Sequence, residues 1–122
     1  MSAAVPWLLV VAGAAVGAPA RYLLGLWLNG RAPMPWGTLA ANVVGSLLLG
    51  LFARAGLGVG GYALLGVGFC GGFTTYSTFA WEAHTLLAVN RVHATTYMLL
   101  SLVTGLAAAT LGWWLGGVGA QP

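Results

Sequence analysis

The sequence predicts an all-α integral membrane protein of four transmembrane helices, the third of them broken mid-membrane. Two observations carry that reading. Only 4% of the 122 residues are charged and 60% are hydrophobic, whereas ordinary globular proteins hold roughly 25% charged residues. So few charges cannot cover a water-facing surface, and the solvent is lipid. The apolar residues also gather into four runs with short polar joints between them, and a crossing needs about 17–25 residues to span a hydrocarbon core of about 30 Å. One domain over residues 1–122 follows, with spans near 5–28, 36–56, 61–82 and 94–116.

Span one has no Lys or Arg before it and reads as a retained first crossing, since a secretory signal wants a positive leading region. Gly13 and Gly17, four residues apart, read as a stripe for close helix packing. Arg21 continues the same face. An arginine at depth costs at least ~2.5–3.5 kcal/mol, so Arg21 either faces a protein or watery interior or snorkels to the interface.

Span two reads WGTLAANVVGSLLLG, in which Thr38, Asn42, Gly45 and Ser46 fall on one helical stripe. An asparagine amide in hydrocarbon needs partners, either another helix or a permeating species. In span four Tyr97, Ser101, Gly105 and Ala109 follow at steps of four, with Thr104 beside them. That ladder serves packing or a hydroxyl track for an ion. Trp113 and Trp114 at its end read as an interfacial aromatic belt.

Span three carries the stretch GGFTTYSTF at residues 71–79. Gly66, Gly68, Gly71 and Gly72 make a uniform helix costly, at roughly 1 kcal/mol per glycine relative to alanine. The Thr and Ser hydroxyls that follow can take over orphaned backbone groups. Irregular backbone at membrane depth is tolerated only inside protein or beside a water-filled cavity. An interrupted crossing beside an Asn stripe is an arrangement suited to binding a small ion.

Other classes fall away. Residues 66–71 match G-x-G-x-x-G but follow no strand and have no acidic residue about twenty positions on. The chain holds a single acid, Glu82, so no nucleophile–base–carboxylate set exists and an enzyme is not expected. Cys70, His84 and His93 lack zinc-like spacing. A net charge of +3 is too small and scattered for nucleic acid. The arginines divide thinly, with Arg54 on one side of the membrane and Arg21, Arg31 and Arg91 on the other, a weak bias that permits insertion both ways.

The chemistry of the interior favours an anion. Spans one, two and four carry no carboxylate. Amide and hydroxyl hydrogens and the positive edges of aromatic rings remain. A small multidrug-type, proton-coupled exporter is the alternative, and it needs an acid embedded in its first helix.

The run Gly68-Phe-Cys-Gly-Gly-Phe-Thr-Thr-Tyr-Ser-Thr-Phe-Ala-Trp-Glu82 resembles the signature of the Fluc/CrcB fluoride channel family. So do Arg21-Tyr-Leu-Leu-Gly25, Trp36-Gly-Thr-Leu-Ala-Ala-Asn-Val-Val-Gly45, and Tyr97 with Ser101. The resemblance implies a passive fluoride-selective channel in a prokaryotic plasma (inner) membrane, exporting cytoplasmic fluoride and giving fluoride resistance. It implies antiparallel dual-topology homodimers, each enclosing two pores, with a second homologue as the rival partner. A structural Na⁺ on the two-fold axis is expected, held by the backbone carbonyls of Gly71 and Thr74, with no organic cofactor. The glycines and the first threonine are expected to unwind the helix for that cage. The implied pore residues are Asn42, Tyr76, Ser77, Thr78, Phe79, Tyr97, Ser101 and, near the vestibule, Thr38, with Arg21 and Glu82 at the vestibule or structural. Tyr76 stands where the family usually has phenylalanine.

Overall fold

The computed structural model describes residues 2–29 and 34–118, with the backbone alone at Tyr76. Arg31 and the Tyr76 side chain lie outside the described residues. All regular structure among the described residues is helical. Helices α1 (Ala4–Leu28), α2 (Trp36–Arg54) and α6 (Arg91–Gly117) are each long and apolar enough to cross a membrane. Between α2 and α6 the chain is helical in pieces. Helix α3 (Gly58–Gly61) runs directly into a π-helical segment, Tyr62–Cys70, and then α4 (Gly71–Phe73). After two extended residues α5 (Tyr76–Val89) begins.

Local chemistry sets these boundaries. Pro35, with no backbone N–H to leave unpaired, stands at the start of α2. The turn out of α2 uses Gly56 at φ +70° and Gly58 at φ +76°, values that a side chain rarely permits. The α5–α6 corner is made by Asn90, whose side-chain oxygen accepts from the amides of Val92 at 3.0 Å and His93 at 3.1 Å. That satisfies two orphan donors at the start of α6. Gly66 and Gly68 lie inside the π-helical segment, where absent side chains ease a coil wider than the α-helix.

The break is narrower than the sequence suggests. Gly71 is helical, at φ −63° and ψ −38°, and Gly72 lies within α4. The expectation that these glycines unwind the helix is therefore corrected. Extended backbone is confined to Thr74 (φ −83°, ψ 159°) and Thr75 (φ −150°, ψ 124°). Gly68 and Gly72 serve close packing instead. A Cβ on Gly72 would lie 3.0 Å from Ala14 Cα, and one on Gly68 would lie 2.6 Å from the Val10 carbonyl. From α1 the contact is reciprocal, since a Cβ on Gly13 would strike the Leu64 carbonyl and one on Gly17 the Phe69 carbonyl. Backbones approach this closely only where small residues face one another, which is the usual basis of helix association in lipid.

Helices α2 and α6 form the second pair and run parallel. Arg54 meets Trp113 across an offset of 59 residues. The same offset places Gly50 against Ala109, Ser46 beside Gly105 and Thr38 beside Tyr97. Rungs therefore recur every four residues, about one helical turn. A small apolar core of Leu39, Ala83, Leu86, Ala94 and Tyr97 fills the space between α2, α5 and α6. The outer faces are apolar, with Trp7 72% and Trp27 74% exposed near the two ends of α1, as a lipid-facing surface with interfacial aromatics requires.

The α1 contact gives a direct test. Gly13→Val forces a side chain onto backbone and should cost at least the 1–3 kcal/mol of ordinary overpacking, read as an earlier thermal unfolding midpoint in detergent. Gly25→Ala is the control, because its Cβ would meet nothing nearer than 3.7 Å, and it should leave the midpoint unchanged or raised.

Candidate functional site

The interruption is held by one side chain of α2. Asn42 Oδ1 accepts from the Thr75 amide at 2.9 Å, and Asn42 Nδ2 donates to the Thr75 carbonyl at 3.2 Å. In a continuous α-helix the Thr75 amide would bond the Gly71 carbonyl. The Asn42 amide takes that role, and Thr75 is released to cap the next helix, its hydroxyl accepting from the Thr78 amide at 3.1 Å. On the other side of the break, the Thr74 amide and hydroxyl both donate to the Cys70 carbonyl at 2.8 Å. A Cβ on Gly45 would collide with the Thr74 methyl, so glycine at that point of α2 lets the break seat against it.

Beside this bridge lies an open groove of about 420 Å³, lined by Asn42 and Ser46 of α2, Thr74 and Thr75 of the break, Phe79 of α5, and Met98, Ser101 and Gly105 of α6, with Leu49 and Leu102 at its sides. Among the described residues, no charged one lines it. The Ser101 hydroxyl oxygen is buried and has no hydrogen-bond partner among the described residues. The Asn42 amide, with two donor hydrogens, spends one on Thr75. Phe79 packs on Tyr97 with ring centroids 5.2 Å apart and planes tilted by 43°. The groove therefore offers hydroxyl, amide and ring edge without a carboxylate, a set that favours a small anion.

A second polar group lies at the α1–α2 end. Thr38 is 3% exposed, and its hydroxyl donates to Glu82 Oε1 at 2.5 Å. Asn29 Nδ2 donates to Glu82 Oε2 and to Thr38 Oγ1, each at 3.3 Å, while Asn29 Oδ1 accepts from the Gly37 amide at 2.6 Å. Tyr97, fully buried, stands between this group and the groove. Its phenol oxygen lies beside Thr38 and feels the Glu82 charge, yet among the described residues it makes no hydrogen bond of good geometry. Arg21 of α1, half-buried, also faces the Glu82 charge.

Of the residues singled out in the sequence, the structure brings Asn42, Phe79 and Ser101 into one groove and joins Thr38 to Glu82. Tyr97 links the two groups. Ser77 is exposed and Thr78 half-buried on α5, and neither lines the groove. The Tyr76 side chain lies outside the described residues. Two residues escaped the sequence reading. Thr75 was one hydroxyl in a run of five, and only its dihedrals mark it as the pivot. Asn29 ends α1 through its backbone amide, which donates to the Gly25 carbonyl at 2.8 Å. Its side-chain role depends on Glu82, distant in sequence.

Replacing Asn42 by leucine strands both backbone groups of Thr75. At about 1–3 kcal/mol for each buried orphan, Asn42→Leu should destabilise the fold by roughly 2–6 kcal/mol. Asn42→Asp, which keeps the acceptor for the Thr75 amide, should cost less, as thermal unfolding in detergent would measure.

Comparison with known proteins places this geometry. A family described as CrcB-like protein, Camphor Resistance (CrcB), matches residues 8–113. A Rhodococcus jostii protein named Fluoride-specific ion channel FluC 2 is 48% identical over 86% of this chain and 93% of its own length. The Streptomyces avermitilis Fluoride-specific ion channel FluC 1 is 45% identical over 88% of this chain and 93% of its own. A Thermus thermophilus protein, Fluoride-specific ion channel FluC, is 44% identical over 91% of this chain and 93% of its own. With its breadth of match from the first helix to the last, the chain belongs to the CrcB family.

Proposed function

We propose that this protein is a multi-pass membrane channel for fluoride, passing the ion out of the cell down its electrochemical gradient. The observation that carries the proposal is the convergence of the Asn42 amide, the Ser101 hydroxyl and the Phe79 ring on one groove beside an interrupted helix, where among the described residues no charge lines the groove and no group pairs with Ser101. Hydroxyl and amide hydrogens replace the water that a small halide gives up, and the aromatic edge adds a weaker positive surface. The names of the relatives, fluoride-specific ion channels, agree with that chemistry. Fluoride enters acidified cells as HF and dissociates inside, so a passive leak driven by the membrane potential is enough for resistance in a prokaryotic inner membrane.

The fuller assembly is part of the same reading. The segments from α3 to α5 count together as the third of four crossings, and two antiparallel copies close their grooves into two pores. Each pore takes Phe79 from one subunit and Tyr76 from the other. A structural Na⁺ sits between the copies on the carbonyls of Gly71 and Thr74. The local chemistry fits such an ion. Gly71 is exposed, a Cβ there would meet nothing within 4 Å, and the amide that would pair its carbonyl in an α-helix is bonded to Asn42. Carbonyl oxygens are the donors a hard cation takes. The bound ion would supply positive potential near the anion path. The exporter alternative gains nothing, because the one carboxylate is tied to Thr38 and Asn29 and is absent from α1.

Fluoride-electrode efflux from proteoliposomes tests the function. The parent chain should release trapped fluoride on addition of a potassium ionophore, Phe79→Ile should stop the release, and Tyr76→Phe should leave it intact or faster. A parent chain that holds its fluoride while Tyr76→Phe releases it would make this protein the degenerate partner of a second homologue. Silence in both would end the channel reading.

A further inference from the structure

We propose that Asn29 is a positioning residue that holds the Glu82 carboxylate and the Thr38 hydroxyl in place at the mouth of the pathway. The inference rests on the fluoride-channel reading above and assigns a role to a residue outside the groove. The orientation of the Asn29 amide is decided by its partners. The Gly37 amide can only donate, so the atom 2.6 Å from it must be the side-chain oxygen. The NH₂ group is thereby turned to Glu82 Oε2 and Thr38 Oγ1. Thr38 in turn commits its single proton to Glu82 Oε1. Each carboxylate oxygen thus has its own donor.

Placement gives this arrangement a consequence. Glu82 lies on the wall of a recess of about 340 Å³ that it shares with Pro35, Trp81, Leu86 and Val89, at the end of the bundle where α2 starts and α5 finishes. Tyr97 stands on the inner side of the same carboxylate, and Arg21 of α1 faces its charge from another direction. A loose carboxylate at that point would repel an approaching anion and would compete with it for the Thr38 hydroxyl. Clamped by two donors, it spends its acceptor capacity on protein instead. Asn29 is suited to the task because one residue reaches three elements: its backbone amide ends α1, and its side chain caps the first turn of α2 and grips α5.

The test separates the grip on Glu82 from the cap on α2. Asn29→Asp keeps an oxygen for the Gly37 amide but replaces the donor by a second negative group. It should slow fluoride efflux from phosphatidylethanolamine–phosphatidylglycerol vesicles by about tenfold or more, the loss of one charge-assisted hydrogen bond. In the reversed pair, Asn29→Asp with Glu82→Gln, the new amide donates back across the contact. Its efflux should stay within about threefold of Glu82→Gln alone, a strongly non-additive cycle. The same variants melted in detergent should show a lowered midpoint for Asn29→Asp and recovery of at least half of that loss in the pair. That melting cycle judges the grip even where Glu82→Gln is itself too slow to read, or where the parent chain carries no fluoride and the channel reading alone has failed. Unchanged efflux in Asn29→Asp would overturn the proposal, as would a melting loss that the reversed pair fails to recover.

Discussion

A peptide group at membrane depth has no water to turn to, and the whole architecture depends on how one such group is satisfied. Thr75 leaves the helix, and Asn42 of α2 takes both its amide and its carbonyl. This two-point bridge lets extended backbone persist where lipid would otherwise force a continuous helix. The break then becomes a fixed feature with a defined neighbour. It sets where α5 starts, since Thr75 also caps that helix, and so it sets where Phe79 stands relative to α6.

The packing around the bridge is organised by what is missing. Lipid tails are as apolar as leucine, so helices gain little by covering leucine with leucine. In this chain backbones meet through glycine, with α1 against the π-helical segment at Gly13 and Gly17 and α2 against α6 at Gly50 and Gly112. Parallel packing of α2 and α6 at one constant offset brings the polar positions of both helices to the same levels. Thr38 and Tyr97 share a rung, Ser46 and Gly105 another, and between them Asn42 and Ser101 open onto the groove. Two weak stripes, each compatible with mere packing, become one polar path through that register.

The single acid explains the sign of the chemistry. Glu82 is removed from the groove and bonded on both oxygens, leaving amide, hydroxyl and aromatic edge to face a permeating species. A channel for cations would leave such a carboxylate free to face the ion. The CrcB membership and the fluoride-specific names of the relatives therefore agree with the local electrostatics, with each line of argument independent of the other.

The sequence alone determined the solvent, because 4% charge leaves no way to face water, and it located an interruption near residues 71–79, because hydroxyls in hydrocarbon demand a backbone to serve. It also showed the stripes on α2 and α6, since helical spacing is visible in a string of letters. The tertiary structure decided which residues break and which merely pack. Gly71 and Gly72 looked like the breakers, yet both are helical; Gly72 sits where the backbone of α1 presses close, whereas a Cβ on Gly71 would meet nothing within 4 Å. Thr75 became the pivot only because Asn42 was there to receive it, and Asn29 acquired its task only when Glu82, 53 residues on, folded against it. Such roles belong to pairs of residues distant in the chain, and a linear reading can locate each member without showing that the two meet.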